Sequence, residues 1–302
     1  TVFADVTPLK NLTIHAQFGV DYAHSTSFMQ SYPSYLINNK SGRAGRSTSD
    51  MLNLTETLTA NYRWALNDDH SFNFLLGQEG VDYRSAGFQV VTRGQTIDRL
   101  TNIASGTRAS SWQDASTAYS YLSLFFRGEY NYKDLYYAEV AARTDASSRF
   151  GKDHRWGAFW SLGFMWNIKN EVFLKDVEWL DNLKLRLSYG ITGNNNVGDY
   201  ATSYYTSGPS YAVIGGNEFQ GYYGNGIIDQ ALMWEKIKEF NFGVDFAVLQ
   251  NRINITADAY RRLADGQIMK STVPLETGES SLTTNIGSVQ NAGIELGVNF
   301  GV

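Results

Sequence analysis

The chain has 302 residues with a net charge of −5, and it is 43% hydrophobic and 14% aromatic with no cysteine. This length suffices for one large β-domain or two small ones, and the lack of cysteine excludes disulfides, zinc knuckles and a thiol nucleophile. The acidic balance excludes the basic surface by which proteins bind nucleic acid. There is no run of 18 apolar residues, which excludes a transmembrane helix but leaves a transmembrane β-barrel open.

Alternating apolar and polar residues are the main pattern along the chain. In the first such segment Leu12 and Ile14 are apolar, whereas the neighbouring Thr13 and His15 are polar. Such alternation places apolar side chains on one face of a β-strand and polar side chains on the other. The pattern recurs and predicts strands near residues 11–23, 51–66, 71–83, 117–132, 135–148, 154–168, 182–193, 232–249, 252–268 and 289–302.

The lengths and connections of these strands favour a membrane barrel over a soluble sandwich. Most are longer than the roughly five or six residues usual in globular sheets, and a strand tilted by about 45° needs roughly 9–11 residues to cross a bilayer. Most predicted connections alternate between long, at 24–50, 84–116, 194–231 and 269–288, and tight, at 67–70, 133–134 and 250–251. The exceptions are a brief connection at 149–153 and an intermediate one at 169–181. Outer-membrane barrels sort long and short connections onto opposite rims in this way. The predicted fold class is all-β, with about ten long antiparallel up-and-down strands of a transmembrane β-barrel.

The placement of aromatic residues gives an independent indication. Six aromatics fall on the apolar face near the rim of the tight turns: Tyr62, Trp64, Tyr130, Tyr132, Tyr136 and Trp166. Tyr and Trp prefer the lipid–water interface, although the same rings could be ordinary core packing. The charged exceptions on this face lie toward the other rim: Glu56, Lys236, Lys238 and Arg261.

The opposite face carries charges of both signs. The predicted charge pairs there involve Arg127, Glu139, Arg143, Asp145, Glu239 and Arg262. A two-residue hairpin at 250–251 places Glu239 directly opposite Arg262, and one register of the 133–134 turn places Arg127 against Glu139. Small residues on this face suggest close approach of another group: Gly163, Gly190, Gly243, Gly293 and Gly297. The face suits a wet lumen or a docked polar plug, and an ordinary solvated sheet face stays possible.

A series of motifs resembles a known family. The segment RTDASSRFG runs from Arg143 to Gly151, and WGAFWSLGFMWNIKNEVFL follows it. LDNLKLRLSYGITGNNNVGDY then spans Leu180 to Tyr200, and NIGSVQNAGIELGVNF comes near the end. In this order they resemble the SusC/RagA family of TonB-dependent outer-membrane transporters, from about residue 50 onward. The RxDxSSxFG pattern is matched except at Ala146, where glycine is expected. A structural role, pairing charges and ending a strand, is favoured over substrate contact for it.

The resemblance implies a 22-stranded barrel in the bacterial outer membrane, occluded by an N-terminal plug domain. Such transporters import oligosaccharides or peptides together with a SusD-like surface lipoprotein, and TonB energises them through a box that precedes the plug. No signal peptide, plug domain or TonB box is recognisable here. We therefore expect residues 1–302 to form one portion of the barrel, with the plug domain, TonB box and terminal strands outside this chain.

No catalytic, cofactor or metal site is predicted. The four histidines are scattered, and no nucleophile elbow, P-loop or dinucleotide fingerprint is present. The acidic residues of the connection after Ile168 are expected to form a solvated periplasmic segment: Glu171, Asp176, Glu178 and Asp181. An enzyme is the least favoured class. A passive porin or structural outer-membrane barrel is the main alternative to an importer, and a soluble carbohydrate-binding β-domain is a third.

Substrate contacts are expected in the long connections. Aromatic rings can stack on sugars or on peptide side chains, and the candidates are Trp112, Tyr119, Tyr204, Tyr205, Tyr211, Phe219, Tyr222 and Tyr223. Packing of loop against loop, or against the lipoprotein, is an equally good interpretation of these rings.

Overall fold

The computed structural model describes residues 1–35, 41–203 and 227–301, and for 205–214 and 217–224 it describes the backbone alone. These described residues form fifteen strands and three short 3₁₀ turns. The strands are β1 (Val2–Leu9), β2 (Leu12–Ser31), β3 (Gly42–Ala65), β4 (His70–Gln95), β5 (Arg108–Tyr132), β6 (Tyr136–Ser147), β7 (Trp156–Asn167), β8 (Leu180–Asn194), β9 (Tyr205–Ile214), β10 (Asn217–Gly224), β11 (Glu235–Val248), β12 (Ile253–Asp265), β13 (Ile268–Thr272), β14 (Ser281–Asn285) and β15 (Ser288–Phe300). In the described residues no helix has the length and apolarity needed to span a membrane.

Eleven strands form one antiparallel up-and-down sheet. Their order is β1-β2-β3-β4-β5-β6-β7-β8-β11-β12-β15, so neighbours in the sheet are also successive strands of the chain, apart from two inserted hairpins. These hairpins are β9–β10 and β13–β14, each a separate two-stranded sheet. All ten predicted strands are present, which confirms the predicted fold class.

Contacts between Cα atoms divide the chain into two compact units. The first comprises Thr1–Phe3, Gln17–Glu56 and Gly80–Ser120. In it Thr92 is buried, and its hydroxyl donates to the carbonyl of Ile103 at 2.8 Å and accepts from Gln95 Nε2 at 3.0 Å. The second unit comprises Ala4–Ala16, Thr57–Glu79 and Tyr121–Val302.

In the second unit, side chains in register form rows across the strands. One row from β5 to β15 consists of apolar and aromatic residues of different sizes: Tyr130, Ala138, Phe164, Leu187, Phe242, Ala259 and Ile294. The row one residue away lies on the other face and is polar or small: Glu129, Glu139, Gly163, Ser188, Asn241, Tyr260 and Gly293. The alternation therefore sorts side chains consistently over seven strands.

The apolar face is exposed although its side chains are large and hydrophobic. Leu162 is 50% exposed, Leu187 is 43% exposed and Phe242 is 41% exposed, although all three lie in strands with neighbours on both sides. Burial is instead concentrated in a small cluster of Phe150, Phe159, Leu232 and Trp234. Outside this cluster most large apolar residues of the described strands are half-buried or exposed, and Leu180 at the start of β8 is an exception at 3% exposure.

Two predictions about the connections are wrong. The segments 24–50 and 84–116 were expected to be long loops, but β2 continues to Ser31, β3 begins at Gly42, β4 continues to Gln95 and β5 begins at Arg108. Side-chain alternation fades in these extensions, whereas antiparallel backbone hydrogen bonds do not depend on it. Strand β1 was missed because Pro8 interrupts its alternating pattern.

Candidate functional site: the polar face of the sheet

An arginine on β8 connects three neighbouring strands. Arg186 Nε and Nη2 donate to the two carboxylate oxygens of Asp245 on β11, each at 2.9 Å. Nη2 also lies 3.2 Å from Asp258 Oδ1 on β12, which is two strands away from Arg186. The paired geometry with Asp245 is the strong, orientation-specific form of an arginine–carboxylate interaction. All three side chains are partly buried, so water screens them less than it would on an open surface.

Gly243 makes this bridge possible. It stands in register between Arg186 and Asp258, and a Cβ there would lie 2.7 Å from Arg186 Cζ and 2.6 Å from Asp258 Oδ1. The guanidinium therefore crosses the strand through the space that a side chain at this position would fill. The small residue does permit close approach, but the approaching group is the chain's own arginine.

A second ion-pair cluster lies on β5 and β6. Arg127 Nη2 is 2.8 Å from Glu139 Oε2 and 2.6 Å from Glu129 Oε1. The register predicted for this pair is wrong, because Arg127 faces Ala141 and Glu139 faces Glu129. The arginine reaches Glu139 diagonally, and in doing so it separates two carboxylates that would otherwise repel each other.

Arg143 is the centre of a third cluster. Its Nε is 2.6 Å from Asp145 Oδ1, and its Nη2 donates to Ser123 Oγ at 2.8 Å and lies 3.3 Å from Glu79 Oε1.

Glu239 and Arg262 stand directly opposite each other, as the two-residue hairpin predicts.

The motif that begins with Arg143 continues into a buried turn. Strand β6 ends at Ser147, which is fully buried, and the Ser147 hydroxyl accepts from the Asn195 amide at 3.3 Å. Phe150 is 1% exposed and packs against Trp234 with ring centroids 5.4 Å apart. These contacts hold the segments after β8 and before β11 against the end of β6. The motif residues thus make intramolecular contacts that fit a structural role.

A cavity of about 800 Å³ opens on this polar face. It is lined by side chains from several strands of the second unit, among them Arg63, Asn73, Glu129, Tyr137, Glu139, Arg186 and Asn241. Asn73 Nδ2 donates to Glu129 at 2.8 Å, while its Oδ1 is buried and has no hydrogen-bond partner among the described residues. The wall combines charges of both signs and amide groups with apolar surface, which makes up most of the lining. In the described residues there is no group of three His, Asp or Glu placed to hold a metal ion.

The predicted aromatic belt is an array of neighbouring rings. Trp64 stacks on Phe72 at 5.1 Å, Phe72 on Tyr130 at 4.8 Å, and Tyr132 on Tyr136 at 6.2 Å between ring centroids. These rings lie beside the tight turns, where Lys133 Nζ is 3.4 Å from Asp69 Oδ2. A hydrogen bond with Tyr132 and the charge of Asp69 raise the pKa of Lys133.

Seven of the eight substrate-contact candidates lie in the described backbone, and these seven fall in strands rather than in loops. Trp112 and Tyr119 lie in β5, where the Tyr119 ring stacks on Tyr83 at 4.7 Å. Tyr205, Tyr211, Phe219, Tyr222 and Tyr223 belong to β9 and β10, whose side chains are outside the described residues, and Tyr204 is wholly outside them. Their contact with substrate stays a prediction. The sequence did not single out Arg186 or Asn73 as partners in a site, because their roles depend on register across strands.

Comparisons with known proteins agree with this architecture. Residues 4–301 match the family model described as TonB dependent receptor-like, beta-barrel. The chain is 33% identical over 295 residues to the TonB-dependent receptor SusC of Bacteroides thetaiotaomicron, a match that covers 96% of this chain and 29% of that protein. It is 32% identical over 246 residues to the TonB-dependent receptor P39 of Formosa agariphila, covering 79% of this chain and 23% of that protein.

Solved structures show the same likeness. The structure of the RagAB peptide transporter matches 98% of this chain and 33% of the compared chain, with a TM-score of 0.89 and 29% identity. The copper transporter OprC matches with a TM-score of 0.60 at 14% identity, a likeness of fold alone. The chain thus spans about a third or less of the length of the proteins that it matches.

Proposed function

The chain belongs to the family of TonB-dependent receptor-like β-barrels, and from this premise we propose that it is part of an outer-membrane importer of peptides or oligosaccharides. Members of this family are transporters and receptors rather than enzymes. In the proposed arrangement the apolar rows face lipid and the charged face lines the lumen. A SusD-like lipoprotein at the outer rim and energy from TonB complete the proposal, and both are inferred from the relatives.

The observation that carries the proposal is the exposure of the apolar face. Exposing such rows of Leu, Phe and Tyr to water costs roughly 25 cal/mol per Å² of apolar surface. Soluble monomers rarely expose apolar patches larger than a few hundred Å². Lipid removes this cost. The charged clusters around Arg127, Arg143 and Arg186 all lie on the opposite face, where a polar cargo and water would pass.

Adjacent residues on β8 provide a direct test of the orientation. Leu187 and Ser188 point to opposite faces, and these 302 residues contain no cysteine to interfere with labelling. Each is replaced by cysteine in the full-length protein, labelled with the fluorophore NBD and placed in bilayers that contain brominated phospholipids. We expect quenching at Leu187→Cys and no quenching at Ser188→Cys. Equal, water-like behaviour at both positions would overturn the proposal of a lipid-facing apolar face.

The cargo and the energy source are tested in cells. A deletion strain is grown on peptides or on oligosaccharides as the limiting nutrient, with and without a functional TonB system. The likeness to RagAB, described as a peptide transporter, supports peptides as the cargo. A deletion strain that fails to grow on peptides but still grows on oligosaccharides would agree with this cargo. Uptake that persists without TonB would favour a passive porin over an importer.

A further inference from the structure

The connection between β7 and β8 has a defined fold of its own. The 3₁₀ turn Ile168–Asn170 is followed by a helical turn in which the backbone N–H groups of Leu174 and Lys175 both donate to the carbonyl of Glu171, at 2.9 and 2.8 Å. The Lys169 ammonium donates to three carbonyl oxygens further along: Leu174 at 3.0 Å, Lys175 at 3.2 Å and Val177 at 2.7 Å. One lysine thus satisfies acceptors that would otherwise need water. The segment is held in one conformation by these bonds.

This connection is fastened to the apolar face of the sheet. Tyr136 on β6 and Trp166 on β7 face each other in register, with ring centroids 6.0 Å apart. The Tyr136 hydroxyl and the Trp166 indole N–H both donate to Glu171 Oε1, the latter at 3.0 Å. Glu171 was expected to be a solvated acidic residue, but it accepts hydrogen bonds from two aromatic rings of the predicted belt. The start of the connection therefore lies at the level of that belt and on its side of the sheet.

The two residues that follow Glu171 are apolar and point away from the protein. Val172 is 88% exposed and Phe173 is 67% exposed, whereas Leu174 and Val177 in the same connection are partly buried. Consecutive Cα atoms are about 3.8 Å apart, so Val172 and Phe173 lie next to the belt. A largely exposed Phe beside an exposed Val is unfavourable in water, and its position beside Tyr and Trp donors is typical of the lipid–water interface.

We propose that Val172 and Phe173 insert into the interfacial layer of a phospholipid bilayer and anchor the tight-turn rim of the sheet to the membrane surface. Glu171 acts as the positioning residue, since it fixes the connection to the aromatic belt. The charged residues Lys175 and Asp176 are exposed and extend away from the bilayer into water. The surface is continuous with the lipid-facing rows, and this continuity favours lipid over a protein partner. The inference rests on the proposed function, because it takes the apolar face to be the lipid face.

The test uses the full-length protein with single labelling sites. Phe173→Cys carries NBD in phospholipid bilayers brominated either near the headgroups or deep in the acyl chains, and Lys175→Cys is the matched control two residues away. We expect blue-shifted emission and quenching by shallow bromines at Phe173→Cys, with little quenching at Lys175→Cys. Adding Glu171→Ala to the Phe173→Cys protein should reduce the shallow quenching, whereas Glu171→Gln, which keeps an acceptor oxygen, should retain most of it.

The outcomes separate this inference from the proposed function. Quenching at Leu187→Cys with unquenched, water-like emission at Phe173→Cys overturns the anchor and leaves the lipid-facing sheet standing. Absence of quenching at Leu187→Cys overturns the proposed orientation itself. Phe173→Cys emission that is blue-shifted but insensitive to bromine places the residue against protein, and it also overturns the lipid anchor.

Discussion

Replacing Gly243 with alanine tests whether the bridge from Arg186 to Asp258 contributes to stability. The new methyl group would lie 2.6–2.7 Å from Asp258 Oδ1 and from the Arg186 guanidinium, so the guanidinium has to move and the contact with Asp258 is lost. A hydrogen bond to a charged group contributes about 1.5–3 kcal/mol. Alanine in place of glycine returns about 0.4–1 kcal/mol by restricting the unfolded chain. The expected net loss is about 1–2 kcal/mol of unfolding free energy.

The measurement is unfolding of the full-length protein by guanidinium chloride in detergent micelles, monitored by circular dichroism. Gly163 is a matched control, because it lies on the same face and a Cβ there meets only Glu139 Cβ at an ordinary 3.7 Å. We expect Gly163→Ala to be neutral or slightly stabilising. In an Arg186→Met background most of the cost of Gly243→Ala should disappear, since no guanidinium has to be displaced and only the carboxylate end of Asp258 has to shift. A cost that is unchanged in that background would refute the role assigned to the glycine.

Three further predictions concern single positions. Phe150→Ala should cost about 3–5 kcal/mol because it empties a buried site, whereas Leu275→Ala, at a residue 80% exposed, should leave the unfolding midpoint nearly unchanged. Glu171→Ala should lower stability by about 1–3 kcal/mol because two donors lose their acceptor, with Glu171→Gln losing clearly less in the same titration; equal losses would argue against the acceptor role. Leu187→Arg should cost about 2–4 kcal/mol in lipid bilayers, and Ser188→Arg should be tolerated; the reverse order would place lipid on the other face.

The sequence predicted the strands well wherever one face is apolar. Strands such as β7 and β8 were located to within a few residues, because one apolar and one polar face impose a strict period of two. The alternation did not predict residues 24–31 of β2 and 84–95 of β4, where both faces carry polar residues. Backbone pairing continues there without a side-chain signal, and only the partner strand reveals it.

The site was predicted only at the level of residue types. Arg127, Glu139, Arg143 and Asp145 were expected on one face, and they do form ion pairs there. The particular partners depend on register, and the three-residue turn 133–135 places Arg127 opposite Ala141, two residues beyond Glu139. Glu171 shows the same limit, since its hydrogen bonds join residues far apart in sequence and nothing local distinguishes it from a solvated acid.

The arginine bridge also bears on how the strands avoid slipping past one another. A slip by one residue would exchange the two faces, and the apolar pattern forbids it. A slip by two residues keeps every side chain on its own face, so that pattern cannot prevent it. Such a slip would bring Asn241 or Asp245 between Arg186 and Asp258 in place of Gly243, and either side chain would obstruct the guanidinium. The single glycine gap thus selects one alignment among those that hydrophobicity alone would accept.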